Sequence, residues 1–226
     1  MEGIIFTING NQYHIHDTIV NAVIVAFILC VFSIYISYKF KKADHTKKPT
    51  GIVLLIEQFY NFIVGIVDQT MGTTRRGFVP YIGSIFLFLL ISNLWGLLGF
   101  TPPSSDYNFT VTLAILTFIL IHFNGIKSKG IGSYLKGYAD PNVLFLPLNV
   151  IGEIATPISL SFRLFGNILS GVLIMELVHY GLQAISVFLV PASAILHIYF
   201  DVFAGVLQAF IFVMLSMAYI SQQFSE

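Results

Sequence analysis

Residues 159–171 of the chain, SLSFRLFGNILSG, place a single arginine, Arg163, inside an apolar run that extends from residue 143 to residue 180. No other lysine or arginine follows Lys136 in the sequence. An arginine at the centre of a bilayer costs about 2.5–3.5 kcal/mol on insertion scales, and polar groups kept at such a cost are usually functional. We therefore expect Arg163 to face a partner charge or a water-filled cavity. The alternative is an arginine paired with a buried carboxylate for packing alone.

The residues around this arginine favour the close approach of another helix. Arg163 and Asn167 are four residues apart, so on a helix they lie on one face. The small residues Ser159, Ser170 and Gly171 lie near the same stripe, where they would let a second helix come close.

The composition is that of a polytopic membrane protein. Of 226 residues, 56% are hydrophobic and 10% are charged, whereas soluble domains carry about a quarter charged residues. The net charge of zero, with no basic arm, argues against nucleic-acid binding. The one cysteine, Cys30, cannot form an intrachain disulfide. His14 and His16 lack further ligands nearby, so we expect no metal site there.

The hydrophobic pattern predicts an all-α integral membrane protein with a single domain. We expect one amphipathic helix at the membrane interface, residues 51–74, and five membrane-crossing helices at about residues 18–38, 80–98, 109–125, 143–180 and 184–222. The last two are too long for a hydrocarbon core of roughly 30 Å at about 1.5 Å per residue, so they must be strongly tilted, kinked or broken. Pro147, Pro157 and Pro191 are the candidate places to start or bend them.

The basic residues predict the orientation. In this topology all loop lysines and arginines fall on one side, which the positive-inside bias makes cytoplasmic. The N-terminus is then expected outside and the C-terminus in the cytoplasm. No basic region precedes the first apolar run, so we expect no cleavable signal peptide.

Ionisable and amide side chains concentrate in the last two segments. Glu153 lies ten residues before the arginine, and Glu176 lies near the expected outer end. At about 100° per residue, His197, Asp201 and Gln208 fall close to one line of the last helix. Exchangeable groups spaced by helical turns are typical of a water-lined proton or cation path. The alternatives are an interfacial Glu153, a Glu176 beside outer water and a His197 at a helix end.

The chain resembles subunit a of F-type ATP synthases, the membrane stator beside the rotating c-ring. The strongest matches are residues 157–167, PISLSFRLFGN, and residues 207–212, LQAFIF. Weaker matches are residues 93–98, 126–130 and 147–153. The matches follow the expected order over most of the chain, and the short length is similar to bacterial members.

The resemblance implies a stator subunit that is not an enzyme by itself, needs no cofactor or metal, and provides two offset half-channels to c-ring carboxylates. Arg163 would attract a c-subunit carboxylate, favour its ionised form and prevent leakage between the half-channels. Asn167 and Gln208 would line its surroundings and the outer half-channel. Glu153 would lie on the cytoplasmic route and Asp201 on the outer route.

The implied partners are the c-ring at the Arg163 face, the b subunits of the peripheral stalk, membrane lipid, and H⁺ or Na⁺. The implied location is the bacterial cell membrane. The chain does not distinguish the two ions, because the ion-binding carboxylate would belong to the c-ring.

One position departs from the family pattern. Many members have an acidic residue or a histidine directly after Gly171, where this chain has Val172. The outer relay would then depend on Asp201, and the further candidates are Glu176, His197, Asp17 and Ser170.

Two other classes of function are weighed against a stator subunit. A stand-alone secondary transporter would use Arg163 to bind an anionic substrate, but the sequence has no internal repeat of the kind many transporters carry. An intramembrane enzyme using Asp201 and His197 is disfavoured, because no nucleophile–base motif or metal-ligand set such as H-E-x-x-H is present.

Overall fold

The computed structural model describes residues 4–8, 11–42, 51–140, 142–185, 196 and 199–224, with the side chains of residues 4–15, 200 and 201 outside that description. The helices are α1 (Asp17–Lys42), α2 (Ile52–Met71), α3 (Val79–Leu94), α4 (Tyr107–Lys129), α5 (Ile131–Gly137), α6 (Leu146–Ile185) and α7 (Gly205–Gln222). Short 3₁₀ segments lie at Thr73–Phe78, Trp95–Leu98, Pro103–Ser105 and Val143–Phe145, and a π-helical segment, Tyr199–Ala204, leads into α7.

The N-terminus forms a β-hairpin that the all-α prediction did not include. Strands β1 (Ile4–Ile8) and β2 (Asn11–Ile15) pair antiparallel, with Ile4 opposite Ile15. The sequence signal was Asn9-Gly10, because Asn-Gly between two short strands favours a tight hairpin turn. The rest of the described chain is helical, as predicted.

Six helical segments of the described chain are long and apolar enough to cross a membrane, by length and composition. They are Asp17–Lys42, Ile52–Met71, Thr73–Leu98, Tyr107–Lys129, Val143–Ile185 and Val202–Gln222. Four of these include a predicted span, and a fifth, Val202–Gln222, covers the second half of the predicted span 184–222. The sixth, α2, also passes this criterion, so its assignment to the membrane interface stays a prediction.

Helix α6 is one continuous element of 40 residues. At about 1.5 Å per residue it is about 60 Å long, twice the hydrocarbon thickness, so it can be accommodated only by strong tilt or by bending. Pro147 lies in its first turn, where a missing N–H costs little. Pro157 lies inside the helix without ending it, so a break there is excluded. Residues 184–185, which we had assigned to the last span, belong to α6, and Pro191 lies outside the described residues.

The core lies where α3 and α7 pack together, with α2, α4 and one side of α6 around them. Its fully buried side chains include Ile82 and Leu89 of α3, Phe212 and Met217 of α7, and Leu164 of α6. Helix α1 is peripheral, since Thr18 and Val25 are its buried residues. On α6, Leu164 faces this core, whereas Arg163 and Gly166 beside it are exposed among the described residues.

Helices α3 and α7 approach most closely at Gly205. The Asn93 Nδ2 donates to the carbonyl oxygen of Gly205 over 2.9 Å. A Cβ on Gly205 would lie 3.1 Å from the Cβ of Asn93, which is tighter than ordinary contact.

We expect Gly205→Val to destabilise the subunit by about 1–3 kcal/mol, the usual cost of overpacking a tight contact. The measurement is the thermal unfolding temperature of the detergent-solubilised complex. The control is Gly65→Val in α2, where an added Cβ meets nothing within 4 Å. Equal losses for the two variants would contradict close packing at Gly205.

Candidate functional site

Arg163 is exposed on α6 and has no ion-pair or hydrogen-bond partner among the side chains that the structure describes. Its neighbour Leu164 is fully buried. The helix is therefore turned so that Leu164 faces the core and the guanidinium faces outward. This placement does not support an arginine neutralised by an internal carboxylate for packing, within the described part of the chain.

One turn further along, α6 meets α7 through two amides. The Asn167 Nδ2 donates to Gln208 Oε1 over 3.4 Å. Gln208 is 3% exposed, and its own Nε2 is buried without a protein partner. A buried N–H that lacks a partner costs about 1–3 kcal/mol, so this site favours a water molecule whose oxygen accepts from Nε2.

Ser170 lies on the exposed side of α6, near Asn167. Its Oγ donates to the Asn167 carbonyl oxygen over 2.9 Å. The hydroxyl therefore bonds within its own helix, to the backbone of Asn167, and among the described contacts it does not bond to the side chain of another predicted site residue.

Further buried polar groups lie between α3 and α7, close to Gln208. Ser92 is 0% exposed and Asn93 is 2% exposed. The Ser92 Oγ and the Asn93 Oδ1 have no protein partner. Together with Gln208 they form a cluster of polar groups inside an otherwise apolar helix bundle. Buried water in proteins binds to such unsatisfied polar groups.

Asp201 lies in the π-helical segment Tyr199–Ala204, directly before α7. A π-helix uses i→i+5 hydrogen bonds and is frequent at functional sites. The uniform 100° per residue that aligned Asp201 with Gln208 therefore does not apply across this segment. The Asp201 side chain and all of His197 lie outside the described residues, so their roles stay predictions.

Glu153 lies at the other end of α6, beside a hydrogen-bonded cluster. The Nδ1 of His122 on α4 lies 3.7 Å from Glu153 Oε1 and 2.6 Å from the Tyr134 hydroxyl. The Tyr134 and Tyr138 hydroxyls lie 3.0 Å apart. We call His122, Tyr134 and Tyr138 the His–Tyr–Tyr cluster.

Two clefts meet at this cluster. One, of about 440 Å³, is the more polar of the two, which we call the polar cleft, and is lined by Lys129, Ser133, Asn149 and Glu153 among others. The other, of about 470 Å³, is mostly apolar and is lined by Phe118, His122 and Glu153 among others. Tyr134 and Tyr138 line both. Glu153 is thus half-buried between two open clefts, as a carboxylate on an access route would be.

Burial is the main cause that raises the pKa of both tyrosines in the cluster, and the hydrogen bond from its neighbour raises the pKa of Tyr134 further. Both residues belong to α5 and the turn after it, outside the predicted spans. Their hydroxyls therefore stay protonated at neutral pH and can donate hydrogen bonds.

The sequence analysis missed the His–Tyr–Tyr cluster. The available signal was His122, an ionisable residue within the predicted span 109–125, to which the argument used for Arg163 applies equally. The tyrosines carried no such signal, because only the packing of α5 beside α4 and α6 brings them to Glu153.

Two other predicted site residues, Glu176 and Asp17, form no hydrogen bond with the Arg163 region or with Glu153 among the described contacts. Glu176 is exposed on the face of α6 opposite Arg163, and Val172 is half-buried. Asp17 is the first residue of α1 and is half-buried. Its neighbour Thr18 donates from Oγ1 to Asp106 Oδ2 over 2.7 Å, which ties α1 to the start of α4. Among the described contacts, neither Asp17 nor Glu176 bonds to another candidate.

The described helices are long and apolar, and they carry an arginine without a partner in the described chain, with the buried amide of Gln208 on one side and the carboxylate of Glu153 on the other. This arrangement is that of a polytopic membrane protein with a candidate ion-translocation site. Residues 19–221 match the profile of the family described as "ATP synthase A chain". The chain belongs to this family.

The relatives agree with this assignment. The chain is 37% identical to the sodium-ion-specific ATP synthase subunit a of Propionigenium modestum over 180 residues, which are 73% of this chain and 60% of that protein. It is 32% identical to ATP synthase subunit a of Moorella thermoacetica, over 92% of this chain and 90% of the relative. It is 36% identical to that of Trichlorobacter lovleyi, over 94% and 91%.

The resemblance predicted from the arginine segment is confirmed. The chain is a non-catalytic, ion-translocating membrane subunit of a bacterial F-type ATP synthase, and the stand-alone transporter is set aside.

Proposed function

We propose that Arg163 is the fixed charge between two offset half-channels that load and unload H⁺ or Na⁺ on c-ring carboxylates. The observation that carries this proposal is the outward-facing arginine, which has no partner in the described part of its own chain. A cation beside a carboxylate lowers its pKa by about 1–3 units. A c-subunit carboxylate that reaches Arg163 therefore gives up its ion and stays ionised, which prevents direct leakage from one half-channel to the other.

The outer half-channel is proposed to approach Arg163 through the amides. The Asn167–Gln208 contact and the unpartnered Gln208 Nε2 support this route, since both place polar groups beside the arginine in an apolar bundle. Asp201 is proposed as the ionisable group of this route, and Val172 contributes none. His197, Glu176, Asp17 and Ser170 remain secondary candidates.

The cytoplasmic half-channel is proposed to pass Glu153. The two clefts that meet at this carboxylate support the route. The positive-inside bias places this end in the cytoplasm, because Lys127, Lys129 and Lys136 lie in the same loop region. The N-terminus is then outside and the C-terminus inside.

The proposed protein partners are the c-ring and the b subunits of the peripheral stalk. The c-ring would cover the exposed Arg163 face of α6. The membrane potential would then supply about 2.3 kcal/mol per charge per 100 mV to drive rotation. The b-subunit partner is inferred from the family alone.

Reconstitution tests the function as a whole. We expect the chain to copurify with a ring of small hairpin subunits, and the complex in vesicles to take up H⁺ or Na⁺ when ATP is added. Running the assay with and without Na⁺, and with a protonophore, separates the two ions. A chain that purifies without such a ring and transports an anion alone would contradict the proposal.

We expect Asp201→Ala to slow ATP-driven ion uptake more than Glu176→Ala does. Asp201 lies in the segment that leads to Gln208, whereas Glu176 is exposed on the face of α6 opposite Arg163. Initial uptake rates at equal amounts of assembled complex give the comparison. Equal or reversed effects would show that the outer route runs elsewhere.

A further inference from the structure

The His–Tyr–Tyr cluster connects two environments that differ in polarity. His122 lines the apolar cleft, whereas Tyr134 and Tyr138 line both clefts. The hydroxyl of Tyr134 is therefore the hydrogen-bonded link between the His122 imidazole and the polar cleft. The same atom, His122 Nδ1, also lies 3.7 Å from the Glu153 carboxylate.

The cluster is held in place by contacts from two helices, α4 and α6. The ring of Phe118 packs edge-on against His122, with centroids 3.9 Å apart. The Asn149 Nδ2 donates to the Tyr138 carbonyl oxygen over 2.9 Å. The ring of Tyr134 packs directly onto Gly125, where a larger residue would not fit. These contacts keep the three polar groups in one orientation toward Glu153.

We propose that His122, Tyr134 and Tyr138 form a second proton-exchange arm to Glu153, parallel to direct exchange between Glu153 and cleft water. This inference rests on the proposed role of Glu153 in the half-channel at this end of the molecule. Neither the family match nor the relatives assign these three residues a function.

One proton moves through the arm in balanced steps. A hydronium ion in the polar cleft gives a proton to Tyr138 and becomes water, while Tyr138 passes its own proton to Tyr134 and Tyr134 passes its own to His122 Nδ1. The Nδ1–H of the imidazolium then turns from Tyr134 toward Glu153, this N–H bond breaks, and an O–H bond forms on the carboxylate. His122 returns to its neutral form, and the hydroxyls turn back to their first orientation.

The charged and hydrogen-bonding groups around His122 come from several elements. The groups that face it are Glu153 from α6 and Tyr134 and Tyr138 from the α5 region, and Lys129 lies across the polar cleft. Gln223, after α7, is neutral and also lines that cleft. Glu153 is the one carboxylate among the described groups around His122.

The test is passive proton conduction by the assembled membrane sector in liposomes, driven by a potassium gradient with valinomycin at a series of pH values. An amide cannot take up and release a proton as an imidazole does. His122→Gln is therefore expected to change the pH profile of the wild-type rate and to lower that rate by about threefold, since direct exchange at Glu153 continues. Tyr138→Phe, which keeps the ring, is expected to lower the rate similarly.

The control is His179→Gln, which changes an exposed histidine near the far end of α6. It should keep the wild-type rate and profile. A wild-type pH profile in His122→Gln, or a complex that conducts sodium but no protons, would contradict the proposed proton-exchange arm. Failure of the proposed function itself would appear separately, as ATP-driven pumping retained without Arg163.

Discussion

Replacing Arg163 by alanine is expected to abolish ATP-driven ion pumping while the complex still assembles. Without the guanidinium, nothing holds the rotor carboxylate in its ionised form between the half-channels, so ions cross without turning the ring. Assembly should persist, because Arg163 is exposed and has no hydrogen bond or ion pair with the described remainder of its own chain. The measurement is ATP-driven uptake in vesicles, at matched subunit content.

Arg76→Ala is the matched control for this variant. Arg76 is also an exposed arginine, and it pairs with Asp68 over 2.7 Å on the surface. Exposed ion pairs contribute about 0–1 kcal/mol, so its loss should leave pumping near the wild-type rate. Coupled pumping that survives in Arg163→Ala, or is lost equally in both variants, would refute the assigned role.

Glu153→Gln is expected to have the second largest effect. The amide keeps the size of the side chain but can no longer take up and release a proton. A positioned acid or base typically contributes about 10²–10⁴-fold to proton transfer, and because cleft water can replace part of it, we expect about a tenfold slower uptake. The rate should be compared over a range of pH, since a carboxylate on the route makes it pH-dependent.

Asp140→Asn provides the comparison at the same end of the molecule. Asp140 is an exposed carboxylate in the turn after α5, and it does not line either cleft. Its neutralisation should change the uptake rate little. If both variants slow uptake alike, the effect of Glu153 reflects surface charge rather than a position on the route.

The membrane helices could be predicted because hydrophobic length alone determines them. The long α6 followed from the apolar run around Arg163, although its continuation through Pro157 did not. A proline removes one hydrogen bond, and the flanking turns hold the helix together where they are packed. The π-helical segment at Asp201 also had no signal, because it depends on how α7 meets α3 rather than on local sequence.

Single residues on both sides of the arginine could be predicted. The spacing of four residues places Asn167 on the Arg163 face of α6, and the family resemblance implied Gln208 beside them and Glu153 on the other route. The Asn167–Gln208 contact agrees with the first two. The His–Tyr–Tyr cluster joins α4, α5 and α6, so no single stretch of sequence displays it.

Cross-linking to the rotor tests the central claim most directly. In a Cys30→Ser background, a cysteine at Ser170 lies within about 20° of Arg163 around α6, and one at Ile158 lies about 140° away. Both positions are exposed in this chain. With cysteines placed along the outer helix of the c subunit, we predict that Ser170→Cys forms a disulfide to the c-ring that stops ATP-driven rotation, and that Ile158→Cys does not. Cross-linking from Ile158 alone would contradict the placement of Arg163 against the rotor.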